Sequence, residues 1–221
     1  LDFFCRDVKA ENESIRLVKG AVREARRSGA TIVASAGNNN LDMAHPPAGN
    51  ECIRMPVELP GVIGVSGNGR LGQRTMATPP GPSNYGVGVI DVTAPGGDPA
   101  QAGVPAGLIL STFPTYIPIP PTAMPNVVDG PGATYRYTAG TSFAAAHASG
   151  VAALIVSRYG DSGSPSNGKL PPGLVKALLQ TTAEPKPCPA DPQCQGGEGY
   201  NGFFGHGEVD ALSAVLHEPA P

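Results

Sequence analysis

The stretch Gly140–Tyr159, G-T-S-F-A-A-A-H-A-S-G-V-A-A-L-I-V-S-R-Y, decides how the rest of the chain is read. After Gly140-Thr141-Ser142 it runs in small and aliphatic residues, with almost no charge before Arg158. A helix that is apolar on nearly every face is expected to lie buried in the middle of a sizeable domain. Alanine fills its first turns, which favours the helix and lets neighbouring elements pack close. Ser142 is the exception, a hydroxyl at the mouth of an otherwise dry helix. It suits an N-cap, accepting from the first free N–H groups. It equally suits a nucleophile held where a helix N-terminus favours developing negative charge. On this stretch alone both roles stay open.

Bulk composition narrows the class. A chain of 221 residues holds one α/β domain comfortably. Its 18 acidic and 15 basic residues leave no electrostatic footprint for nucleic acid. Thirty glycines and 25 prolines point to a compact, loop-rich enzyme rather than a helical bundle. No apolar run reaches the length of a membrane span, and no basic-then-apolar signal segment is present. The first residue is Leu1 and not Met, so a processed chain or a fragment is expected. Of the four cysteines, Cys188 and Cys194 lie in C-P-A-D-P-Q-C, within a proline-rich polar loop at 185–205. Their close spacing favours a disulfide and an oxidising, extracytoplasmic setting. Zinc would need two more ligands, and only His206 lies near in sequence. Pairing of Cys5 with Cys52 stays open.

Working outward from the central helix, Ile15, Val18, Val22 and Ala25 recur at spacings of three and four. They predict an amphipathic helix over Glu13–Ser28, with Arg16, Lys19, Arg23, Arg26 and Arg27 on its solvated face. Residues 1–12 show no clear period, and Asn12-Glu13-Ser14 is a weak glycosylation pattern. Gly29 ends the helix, Thr31–Ala34 reads as a short buried strand, and Gly37-Asn38-Asn39-Asn40 as its turn. Helix, glycine, strand, polar loop is the pattern of a parallel sheet, whose functional groups collect at strand carboxyl ends. Further strands are expected at Gly61–Ser66 and Val87–Thr93, and a hairpin from Leu108–Thr112 and Thr134–Thr138. The proline-rich insert 113–132 reads as a long surface loop. Late helices are expected from Pro171 or Pro172 onward and over Ala211–Leu216.

Three segments, Ala36-Gly37-Asn38, Ala94-Pro95-Gly96 and Gly140-Thr141-Ser142-Phe143-Ala144-Ala145-Ala146-His147, occur in an order that resembles the subtilisin-like serine proteases, the subtilase family. The resemblance runs from about Glu13 to Leu216 and includes Ser83-Asn84-Tyr85-Gly86, Thr181-Thr182-Ala183 and the glycine-rich approach to the last helix. It implies a three-layer α/β fold with a mostly parallel central sheet, its N-terminal strands missing from this chain. It implies Ser142 as the hydroxyl that forms an acyl-enzyme. Asn38 and the Ser142 backbone N–H would then donate to the oxyanion. Such donors stabilise the charge of the tetrahedral intermediate more than the neutral carbonyl, and losing the amide from a subtilisin costs about 10²–10³ in kcat. Ala34-Ser35-Ala36-Gly37 and the His45-Pro46-Pro47-Ala48 loop would line the pocket for the residue before the scissile bond. His147 is matched to a structural, packing role, and Ala146 stands where the family usually has Pro.

A serine needs a His to take its proton and a carboxylate to hold that His. The residues before Asn38 contain no His, and neither Asp2 nor Asp7 stands in a D-T-G-like setting. Peptide-bond hydrolysis is therefore expected of a longer protein, with the missing Asp and His upstream and this chain inactive alone. A sheet edge normally covered by the missing strands is expected to lie bare. Two rivals share parts of the pattern: an inactive homologue used for binding or assembly, and an α/β-hydrolase esterase using Asp210 and His217. The latter requires G-x-S-x-G, and Ala144 replaces its second glycine. Protein or peptide substrates are the expected partners. No cofactor is implied, and no Asp/Glu cluster has the spacing of a calcium loop.

Overall fold

The computed structural model describes residues 2–5, 8–47, 52–77, 81–102, 105–114, 116, 126–128, 134–160 and 170–216. The first half contains β1 (Asp2–Cys5), α1 (Lys9–Arg27), β2 (Val33–Ser35), β3 (Cys52–Met55) and β4 (Ile63–Asn68). It continues with β5 (Met76–Ala77), β6 (Gly81–Pro82), β7 (Val92–Pro95) and α2 (Pro99–Ala102). The second half contains β8 (Ile109–Phe113), β9 (Asn126–Val128), β10 (Thr134–Thr138) and α3 (Thr141–Tyr159). It ends with α4 (Pro172–Thr181), β11 (Gly196–Gly197), β12 (Tyr200–Asn201) and α5 (Ala211–Leu216).

A parallel sheet of order β2-β4-β7 forms the middle layer, in the register Val33↔Ile63 and Val65↔Val92. Strand residues alternate between its two faces. Ile63, Val65, Val92 and Ala94 face the layer of α3, α4 and α5, meeting Ala144, Ala148, Ile155, Val175, Leu179 and Ala214. On the other side α1 brings Ile15 and Val22 against Ala34, Ala36, Met43, Val62 and Ile90. Helix, sheet, helix is a three-layer α/β arrangement. Ile155 is completely buried. Ile155→Val is expected to cost about 1 kcal/mol, read as a lower urea midpoint with an unchanged slope.

Several elements depart from the sequence reading. α1 begins at Lys9 and β1 precedes it, pairing antiparallel with β3 under a Cys5–Cys52 disulfide. Arg26 is not on the solvated face, because its guanidinium lies where a Cβ on Gly61 would sit. The third strand is Val92–Pro95 and not Val87–Thr93, since residues 87–89 form a turn and pairing with β4 begins at Val92. Within the insert, β9 pairs with β10, which also takes β8 as its hairpin partner. The rest of the insert lies mostly outside the described residues.

The central helix is not buried on every side. Thr141, Ala144, Ala148, Val151, Ala152 and Ile155 are covered, but Ala146, Gly150, Ala153 and Leu154 are exposed, Leu154 by 47%. Apolarity around the whole helix reports only that water is disfavoured there, not which neighbour excludes it. β2 is likewise an edge strand, paired on one side only among the described residues.

α5 has six residues and depends on its cap. Asp210 Oδ1 accepts from the N–H groups of Leu212 (2.8 Å) and Ser213 (3.0 Å), and Oδ2 from the Ser213 hydroxyl (2.8 Å). The bonds from Ser213, its N–H foremost, hold the Asp210 carboxyl below the ordinary aspartate range. With the folded pKa depressed, this stabilisation is present above the ordinary range and lost as pH falls through the lowered value. Asp210→Ala is expected to cost about 1 kcal/mol near neutral pH. The gap between variant and parent should close in acid, which urea unfolding at two pH values would check.

Candidate active site

Three segments distant in sequence meet at the N-terminus of α3. Ala36 extends the β2–β4 ladder, its N–H donating to the Val65 carbonyl at 2.8 Å. Gly37 then turns the chain at φ 95°, a left-handed conformation suited to glycine. The Gly37 N–H donates to Thr141 Oγ1 at 3.0 Å, and the Thr141 N–H donates to Asn38 Oδ1 at 2.9 Å. Thr141 is fully buried between the two segments that it joins. The third segment arrives through Gly140, whose N–H donates to the Gly96 carbonyl at 2.8 Å. Gly140 stands at φ 149° and ψ 159°, a region essentially confined to glycine. This bend carries the chain from β10 directly into α3.

The geometry separates the two roles open for Ser142. The N-cap position is Gly140, with no side-chain cap of its own, and the first helical N–H is satisfied by Asn38 from another part of the chain. Ser142 is not the cap. It sits exposed on the first turn, and its hydroxyl has no partner among the described residues. Because Asn38 Oδ1 is occupied as an acceptor, the amide orientation is set and Nδ2 remains as a donor. The Ser142 N–H belongs to the first helical turn, where intrahelical acceptors are lacking. A hydroxyl, an amide donor and the positive end of a helix dipole thus share one corner.

No histidine bonds to Ser142 among the described residues. His147 is exposed rather than packed: on the first turns of α3 its Nδ1–H donates to the Phe143 carbonyl at 2.8 Å, which holds it along its own helix. His45 is exposed and pairs with Asp42 at 3.1 Å, beside the exposed Pro46. His206 is half-buried and tilted against Tyr200, with ring centroids 4.9 Å apart. His217 lies outside the described residues. Ala34 and Ala36 turn their side chains into the core with Met43, while Ser35 is half-buried. Among the described residues no group of three or more His, Cys, Asp or Glu side chains is placed to hold a metal ion.

Sequence reasoning missed the residues that pack around the turn following Asn38. Arg74 donates to Asn40 Oδ1 at 2.9 Å and to the Ser83 carbonyl at 3.1 Å, with its guanidinium 3.9 Å from the Phe203 ring centroid. Asp191 approaches it at 3.8 Å from the loop closed by the Cys188–Cys194 disulfide. Burial pulls the Arg74 pKa below its ordinary value, and Asp191 and Tyr85 oppose that shift. Asn84 is completely buried against the turn that carries Asn38. The only sequence signal was the Ser83–Gly86 motif, which assigned no role to Asn84.

A model of the subtilase family of peptidases, Peptidase_S8, matches residues 7–207. The chain belongs to the subtilase family. Fervidolysin of Fervidobacterium pennivorans is 30% identical over 205 residues, covering 92% of this subtilase chain and 24% of fervidolysin. An extracellular protease of Xanthomonas campestris is 30% identical over 198 residues, covering 90% of the chain and 25% of that protein. The chain thus spans about a quarter of the length of these curated relatives. Among solved structures, a lanthipeptide protease superposes with a TM-score of 0.70 at 22% identity, covering 98% of this chain and 59% of that one. The epidermin leader peptide processing serine protease of Staphylococcus aureus gives 0.64 at 22%, covering 96% and 46%. These likenesses show the same fold. Asp210, which the esterase alternative would use as an acid, is instead the cap of α5.

No helix among the described residues is long and apolar enough to cross a membrane.

Proposed function

We propose that this subtilase chain is the C-terminal part of the catalytic domain of a secreted serine endopeptidase. Ser142 attacks the scissile carbonyl and carries the acyl group; Asn38 Nδ2 and the Ser142 N–H donate to the oxyanion. The observation that carries this reading is the Thr141–Asn38 bond, which ties an oriented amide to the residue next to an exposed serine hydroxyl. The Asp and His of the triad belong to an upstream part of the catalytic domain, strands of which pair with the open side of β2. Ser35, Gly37 and the His45-Pro46 loop border the pocket for the residue before the scissile bond. Two disulfides and the extracellular protease among the relatives support an extracytoplasmic setting.

Fluorophosphonate labelling of the native protein, followed by peptide mapping and intact mass, tests the reading. The expected result is one adduct on Ser142 in a chain heavier than this one. An unlabelled protein beside a reacting control protease overturns the peptidase reading and favours a binding role.

A further inference from the structure

We infer that Asn84 is a positioning residue for the oxyanion site, holding the turn on both sides of Asn38. The inference rests on the reading of Asn38 as oxyanion donor. Asn84 is completely buried. Its Oδ1 accepts from the N–H groups of Asn39 at 2.9 Å and Leu41 at 3.0 Å. Its Nδ2 donates to the Ala36 carbonyl at 2.8 Å, and its backbone N–H to the Gly37 carbonyl at 2.7 Å. Residues 36, 37, 39 and 41 are gripped, whereas the Asn38 side chain is left to Thr141.

The side chain does something that the backbone here does not. Residues 40–43 are already tied to 82–85 by main-chain bonds, Asn40 to Pro82 (3.0 Å), Tyr85 to Leu41 (3.0 Å) and Met43 to Tyr85 (2.8 Å). Any residue at position 84 would permit those. The Gly37 carbonyl is held by the Asn84 backbone N–H, but the Asn39 N–H just after Asn38 and the Ala36 carbonyl on the far side of Gly37 reach the 82–85 segment through the Asn84 amide. A primary amide donates from its nitrogen and accepts with two lone pairs on its oxygen in a single plane, so it can bridge a carbonyl and two N–H groups across a turn. Without that bridge Asn38 keeps its bond to Thr141, but the backbone that aims its Nδ2 loses its outer support. Misplacement by an ångström suffices to weaken a transition-state contact.

The test uses the full-length enzyme and a peptide amide substrate, comparing Asn38→Ala, Asn84→Ala and the double variant. Asn84→Ala is expected to lower kcat about 10-fold with KM nearly unchanged. In the Asn38→Ala background the same change should cost less than about 2-fold, because the donor it positions is gone. An equal loss in both backgrounds, or an unaltered kcat, overturns the inference. If Asn38→Ala alone leaves kcat unchanged, the oxyanion reading itself fails, which is a distinct result. Should Asn84→Ala not fold, Asn84→Ser replaces it, an uncharged side chain too short to bridge the Ala36 carbonyl and both N–H groups. The same non-additivity with Asn38→Ala is expected of it, and an equal loss in both backgrounds again overturns the inference.

Discussion

Replacing Ser142 by alanine is expected to lower kcat of the full-length enzyme by about 10⁶-fold while leaving its stability unchanged or slightly raised. The side chain is exposed, bonds to nothing among the described residues and is not the cap of α3, so its loss breaks no structural contact. Alanine is also the better helix former. What disappears is the atom that would bond to the substrate carbonyl carbon, and with it the acyl-enzyme. Residual catalysis would come from the oxyanion donors and substrate binding alone. Hydrolysis of a fluorogenic peptide, with thermal unfolding run in parallel, makes the measurement. Persistent hydrolysis by a folded Ser142→Ala variant would remove Ser142 from the mechanism.

The second large effect is at Asn38, where Asn38→Ala is expected to reduce kcat by about 10²–10³, with KM changed little. Alanine removes the donor and also the acceptor that satisfies the Thr141 N–H, so some loss of stability accompanies it. Asn38→Asp separates the two roles. The carboxylate still accepts from Thr141, and the positive end of α3 favours its charge, so the fold should hold. The same charge faces the developing oxyanion, so kcat should fall at least as far as with alanine. If Asn38→Asp retained the parent kcat, the donor role would be untenable.

The parts of this protein legible in its sequence are those in which a local backbone demand meets a distinctive residue. Gly37 and Gly140 both stand at positive φ close to a candidate functional side chain, and both could be noticed because glycine, asparagine and serine cluster there. Ile15 and Val22 announced α1 through their spacing, and they are its buried residues. Pairings between distant segments were not legible. β1 was missed because its partner β3 lies some fifty positions away, and nothing within D-F-F-C specifies that pairing. Val87–Thr93 looked like a strand from its aliphatic content, yet Gly88 turns the chain at φ 83° before the ladder with β4 begins. Thr141 received no role of its own from the sequence. Its role as the clamp emerges only when Gly37 and Asn38 are brought against it.

That clamp also sets a timetable. Asn38 and Thr141 are 103 positions apart, so the ribosome releases one long before the other. At a synthesis rate of about 5–20 residues per second, the interval is on the order of 5–20 s. Throughout it the emerging polypeptide carries the Asn38 amide without the Thr141 N–H that fixes its orientation. This corner of the fold therefore cannot assemble until two segments about a hundred positions apart have both left the ribosome.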